Sequence, residues 1–208
     1  MWRRSYRLAG PLLGLSAVCL LITAVPLELW PTPRPGDSYV FNPPPFSAIW
    51  VQRTLRPGLI ITANALLLVG LGTVLRRDSA SMSRLQRVLA FSALVGAGAC
   101  LLGTLLFTTA GTNDIGRELT ALLILALAIP LIILGLVGWG TGYLRADSTR
   151  LGAALTVPPV LAVAYIGLSI AGIDFSPVGR LLLIIPTSGM ALVVGYDLWT
   201  DNTIANDR

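Results

Sequence analysis

Apolar residues in this chain come in long blocks separated by short polar breaks, at about 8–29, 58–75, 88–110, 119–144, 151–173 and 181–199. Inside a block they run almost continuously, without the two-residue alternation of a half-buried strand. A membrane-spanning helix needs roughly 20 such residues. A lone segment in lipid must also satisfy its own backbone N–H and C=O groups, which a helix does and an open strand does not. Barrel strands would be about 10 residues long and alternating. The pattern predicts an all-α, polytopic transmembrane bundle of six helices, one domain over residues 1–208, with a single long outer connection at 30–57.

The polar breaks set the orientation. Arg3, Arg4, Arg7, Arg76, Arg77, Arg84, Arg87, Arg145, Arg150 and Arg208 fall on one side, and Arg34, Arg53, Arg56, Arg117 and Arg180 on the other. Excess Arg marks the cytoplasmic side. Both termini are therefore expected in the cytoplasm, with the chain in the plasma membrane of a prokaryote. Trp30 and Trp50 sit near the outer boundary, and Trp2, Tyr6, Tyr143, Tyr196 and Trp199 near the inner one, as interfacial anchors do. The first block follows an Arg-Arg-Ser-Tyr start, but no small-x-small cleavage site follows it, so a retained helix is expected.

The 30–57 connection holds Pro31, Pro33, Pro35, Pro43, Pro44, Pro45 and Pro57. Proline fixes φ and removes a donor, which favours an extended or polyproline-like path. After the triple proline, Phe46, Ile49 and Trp50 share one helical face, with Gln52, Arg53 and Arg56 largely elsewhere. This reads as a short interfacial helix lying on the outer membrane surface, either a plain tether or a lid and partner-docking face.

Composition narrows the class. Hydrophobic residues make up 54% of the chain and charged ones 12%, about half the charged share of an ordinary soluble domain. A soluble enzyme, a disordered chain and a disulfide-stapled secreted domain are excluded. The basic set is entirely Arg, without Lys or His. That removes bis-His haem, His-bound zinc, His-dependent triads and Lys Schiff bases. Cys19 and Cys100 are isolated in apolar blocks and read as inert buried thiols. No metal, haem, nucleotide or other cofactor is expected. The Arg residues are scattered over short loops, so the net charge of +5 points to anionic lipid as partner and not to nucleic acid.

Inside the blocks little chemistry remains. The central stretches carry no charge, and the most polar deep residue is Asn64, which either lines a path or hydrogen-bonds a neighbouring helix. Ser92, Gly96, Ala99, Gly103 and Ala110 form a small-residue stripe along the third block, suited to close helix packing in the bundle or between protomers. Gly10/Gly14 and Gly138/Gly142 match Gly-x-x-x-Gly, a pattern that arises often by chance in glycine-rich spans. Pro130, Pro158, Pro159 and Pro186 fall inside blocks, where neighbouring helices satisfy the freed carbonyls.

One internal likeness stands out. Val-Gly-Leu-Gly-Thr-Val-Leu-Arg-Arg-Asp-Ser at 69–79 and Val-Gly-Trp-Gly-Thr-Gly-Tyr-Leu-Arg-Ala-Asp-Ser at 137–148 agree at eight of eleven positions with one gap. A duplicated helix hairpin, second and third helices related to fourth and fifth about the membrane normal, would produce this. So would convergence on the same helix-end chemistry.

The all-Arg basic set, the excess of Asp over Glu and the apolar blocks resemble the uncharacterised six-helix integral membrane proteins of archaea and high-GC bacteria. The resemblance covers the whole chain and implies no site residue. The sequence leads to a non-enzymatic accessory or scaffold subunit that packs against membrane proteins or itself, with a small permease or channel for an uncharged or lipid-like solute as the alternative. A continuous polar-lined cavity reaching Asn64 favours the second; a solid, small-residue-packed centre favours the first.

Overall fold

The computed structural model describes residues 3–24, 26–27, 30–31, 45–109, 114–173 and 178–204, and these form helices with no strand among them. The helices are α1 (Arg3–Ala24), α2 (Ala48–Asp78), α3 (Arg84–Thr109), α4 (Ile115–Arg145), α5 (Thr149–Ile170) and α6 (Val178–Ile204). Five of them, α2 to α6, are long and apolar enough to cross a membrane. The apolar part of α1, Leu8–Ala24, is shorter. The helix ends at Ala24, before the end of its apolar block and two residues ahead of Pro26, which cannot donate to a helical ladder. The chain is a helical membrane protein.

The expected interfacial helix is not a separate element. Residues from Ala48 onward run straight into the second apolar block as one 31-residue helix, about 46 Å long at 1.5 Å per residue. Ser47 caps its start, accepting a hydrogen bond from Trp50 N at 3.2 Å. Pro57 should break this helix, since it cannot donate to a carbonyl one turn back. The chain answers with a wide π-turn over Val51–Leu55 just before it, in which Arg56 N donates to Val51 O. The prolines at 33, 35, 43 and 44 lie outside the described residues, as do Glu28, Ala110 and Asp174.

Consecutive helices pack side by side, and α6 closes back onto α1. Consecutive helices, and the α1–α6 pair, are antiparallel. Leu13 of α1 sits over Gly70 of α2, and further along α1 Ser16 Oγ donates to Ala63 O at 2.8 Å. Gly10 abuts Gly195 and Trp199 of α6. Six alternating directions bring Arg3 and Ile204 to the same end as the α2–α3 and α4–α5 connections. α1 fills the groove between α2 and α6, which also touch each other.

The tightest contact is between α3 and α4. Ala121, Ala128, Gly135 and Gly142 recur every seven residues along α4. A heptad of small residues keeps a close antiparallel pair in register along its whole length. On α3 it meets Gly103, Gly96, Ala93 and Gln86 in turn. A Cβ on Gly96 would lie 2.9 Å from Ala128 O, and one on Gly103 would lie 2.8 Å from Leu125 Cγ. Gly96 and Gly103 of the expected stripe are thus buried at this interface. Ser92 and Ala99 are only half-buried, and Ala93, fully buried, takes the place read for Ser92. Layers at 3.5-residue spacing fall on 93 as readily as on 92, and both residues are small.

The core has two clusters of unequal size. Leu13, Leu71, Val74, Trp139, Tyr143, Leu155, Met190, Val194 and Leu198 fill the half of the bundle nearer the chain ends. A smaller cluster of Cys19, Leu20 and Ala63 joins α1 and α2 towards the other end, whereas no residue of α5 beyond Pro159 is buried.

Candidate functional site

Between α2, α3, α4, α5 and α6, near mid-height, lies a cavity of about 330 Å³. This is within the usual range for small-molecule sites, roughly 300–1,000 Å³. Its wall includes the small side chains of Ala93 and Ala97 on α3 and Ala162 on α5, together with Ile129, Ile132 and Ile133 of α4. Leu71, Leu136 and Met190 form the boundary on the packed side, directly above the buried Trp139. α1 contributes nothing to the wall.

The wall is apolar with few polar groups. Asn64 of α2 faces the cavity, half-buried, and its carboxamide has no hydrogen-bond partner among the described residues. The interhelical hydrogen bond that such an Asn usually makes is not formed there. A carboxamide facing apolar space is costly unless water or a ligand meets it. Thr187 of α6 also lines the wall; its hydroxyl donates to Leu183 O at 2.7 Å, leaving its oxygen free to accept. Cys100 adds a thiol. Pro158 and Pro159, adjacent in α5, present their rings to the cavity and interrupt the helical ladder beside it. The arrangement offers a donor–acceptor group and an acceptor in an otherwise greasy space. It suits a small apolar molecule carrying one hydroxyl, carbonyl or amide, and it holds no charge to bind an ion.

The packed end is closed by ionic contacts that the sequence reading did not anticipate. Arg77 Nε and Nη2 engage Asp78 Oδ1 and Oδ2 at 2.6 and 3.0 Å, and Arg77 Nη1 reaches Asp197 Oδ2 of α6 at 2.9 Å. The Tyr143 hydroxyl of α4 donates to Asp78 Oδ2. Three helices, α2, α4 and α6, are stapled at one level. The only hint in the sequence was that Asp78, Tyr143 and Asp197 all fall at the same ends of their blocks.

The two similar runs occupy comparable places. Gly70 receives Leu13 from the preceding helix, and Gly138 receives Leu89 from its own preceding helix. Leu71 and Trp139, the next residues, are both buried. They differ at the helix end. Ala146 stands where the first run has Arg77, and Asp147 is exposed in a left-handed conformation (φ 59°), so the staple forms once.

The outer face read from Phe46, Ile49 and Trp50 is split. Phe46 is exposed, with its ring 5.5 Å from that of Trp50, which is half-buried, while Ile49 points inward and is buried. These residues are remote in sequence from the cavity wall, whose outermost α2 member is Asn64. No family model, curated protein or solved structure matches this chain.

Proposed function

We propose that this is a multi-pass plasma-membrane protein of a prokaryote, with both termini cytoplasmic, that takes an uncharged, lipid-like solute into its central cavity. The observation that carries this reading is the cavity reaching the unpartnered carboxamide of Asn64; its lining is apolar and not the continuous polar path expected of a permease, which supports a lipid-like cargo. A scaffold subunit needs a solid centre and gains nothing from a hollow one, since an unfilled void forfeits packing contacts. The uncharged walls argue for a neutral cargo, and the closed, stapled end argues for entry from the opposite side or from the membrane.

Two experiments test this. Ala97→Phe, which fills the cavity, is expected to lower retention of co-purifying neutral lipid-like molecules, read by mass spectrometry, by about tenfold or more. Asn64→Leu is expected to lower it about fivefold, through the lost hydrogen bond. Undiminished retention in a folded Ala97→Phe protein removes the cavity from the mechanism. The scaffold alternative then returns, and it requires that Trp50→Ala weaken association with a membrane partner. Orientation is tested separately. With Cys19 and Cys100 replaced, Ser79→Cys is expected to be shielded from an impermeant thiol reagent in intact cells and Thr112→Cys to react; the reverse labelling inverts the topology.

A further inference from the structure

A second hollow lies outside the bundle, on the membrane-facing side of the α5–α6 pair, with a volume of about 660 Å³. Arg150 and Tyr196 stand at one end, and Pro158 and Met190 at the other. Its sides include Ala154 of α5 and Gly189 of α6, whose small size opens the groove between exposed Val157 and Leu192. Gly189 has nothing within 4 Å of where a Cβ would lie, so the gap there is unfilled by protein.

We infer that this groove binds one acyl chain of an anionic glycerophospholipid from the leaflet on the arginine-rich side, with its phosphate on Arg150. Length, polarity and charge agree. From Arg150 to Pro158 the helix rises about 12 Å, close to the roughly 15 Å half-thickness of the hydrocarbon core. One chain therefore fits from headgroup level to the bilayer centre. The walls between are apolar throughout. Arg150, at headgroup depth, has no ion-pair or hydrogen-bond partner among the described residues, leaving its guanidinium fork free for a phosphate. Tyr196 beside it is exposed and suits the same interfacial level. Pro158 and Met190 belong to the central cavity as well, so the chain's tip ends against that cavity's wall. The site does not depend on what the central cavity holds.

The test is native mass spectrometry of the full-length protein in mild detergent, titrated with phosphatidylglycerol or with phosphatidylcholine of the same chains. The wild type is expected to retain one phosphatidylglycerol, with a preference over phosphatidylcholine. Arg150→Gln is expected to keep lipid binding but lower the preference about fivefold, the effect of one basic group near anionic lipid. Gly189→Leu, whose Cβ would meet no protein atom within 4 Å, extends a side chain into the groove and is expected to abolish the retained lipid while leaving the melting temperature unchanged. Equal retention of the two lipids by the wild type, or full retention by Gly189→Leu, overturns the proposal. So does a wild type found as a dimer that Gly189→Leu turns into a monomer, because the groove would then seat a second copy of the chain. Ala97→Phe, which acts on the central cavity, is expected to leave phosphatidylglycerol binding intact, so the two sites fail separately.

Discussion

Gly135→Ala is expected to destabilise the bundle by about 1–3 kcal/mol, the usual cost of overpacking a filled interior, and Gly72→Ala to leave it unchanged. The contrast follows from what each added methyl would meet. At Gly135 the new Cβ would lie 2.5 Å from Ala93 N and 2.7 Å from Ala93 Cα. Those atoms belong to the backbone of α3, which cannot rotate out of the way as a side chain does, so the two helices must separate. Separation is costly because α3 and α4 touch along their full length, from Gln86 beside Gly142 to Gly103 beside Ala121. A shift at Gly135 loosens van der Waals contacts in every layer, and in lipid those contacts are the main force holding helices together. Gly72 has nothing within 4 Å, and Ala is the better helix former there. Thermal unfolding in one detergent measures both variants. Equal melting temperatures for Gly135→Ala and the parent would mean that the α3–α4 interface is slack.

The helices were legible because long apolar blocks in lipid have one backbone solution. Their ends were less so. Pro57 reads as a boundary, since proline ends helices in water; here a π-turn at Val51–Leu55 absorbs it and α2 begins at Ala48. On the small face of α3, Gly96 and Gly103 do lie at the interface, while Ser92 was read one residue from the buried Ala93, because both residues are small and helical phase is fixed by the partner. The partner's own signal, small residues at 121, 128, 135 and 142, was present in the sequence and was hidden behind the shorter Gly-x-x-x-Gly matches. Asn64 was singled out as the one deep polar residue, and it does face the cavity. The cavity itself could not be read. It is a shortfall of volume summed over side chains from five helices, and no single block encodes it. The staple was invisible for a related reason. Arg77 and Asp78 look like ordinary helix-end residues until Tyr143 and Asp197 arrive from elsewhere in the chain.

The division of the bundle follows from these details. On the stapled side large residues interlock around Trp139, Leu155 and Leu198. On the other, small residues and paired prolines leave space, and α5 runs on without burying a side chain after Pro159. The larger core cluster thus joins all six helices at one end, while the α3–α4 seam runs on past the cavity to Gly103 and Ala121.

The staple is what holds the packed end, so Asp78→Asn is expected to cost about 2 kcal/mol. The two limits bracket that value. Exposed ion pairs contribute about 0–1 kcal/mol, and breaking a fully buried one costs about 3–5. Arg77 and Asp78 side chains are 23% and 16% exposed, between the two cases. Asn keeps the shape of Asp but removes the charge that two guanidinium nitrogens share, and its amide NH2 replaces an acceptor that also takes the Tyr143 hydroxyl. Among the described residues Arg77 then keeps its ion pair with Asp197, at a contact between α2 and α6. The loss should be non-additive. With Arg77→Gln already in place, Asp78→Asn should cost at least about 1 kcal/mol less, since residues in one charged network couple by 0.5–3 kcal/mol. Denaturation of the two single variants, the double and the parent in the same detergent completes the cycle. Additive losses would show that Arg77 and Asp78 act independently and that the side-chain packing around Trp139 alone keeps this end closed.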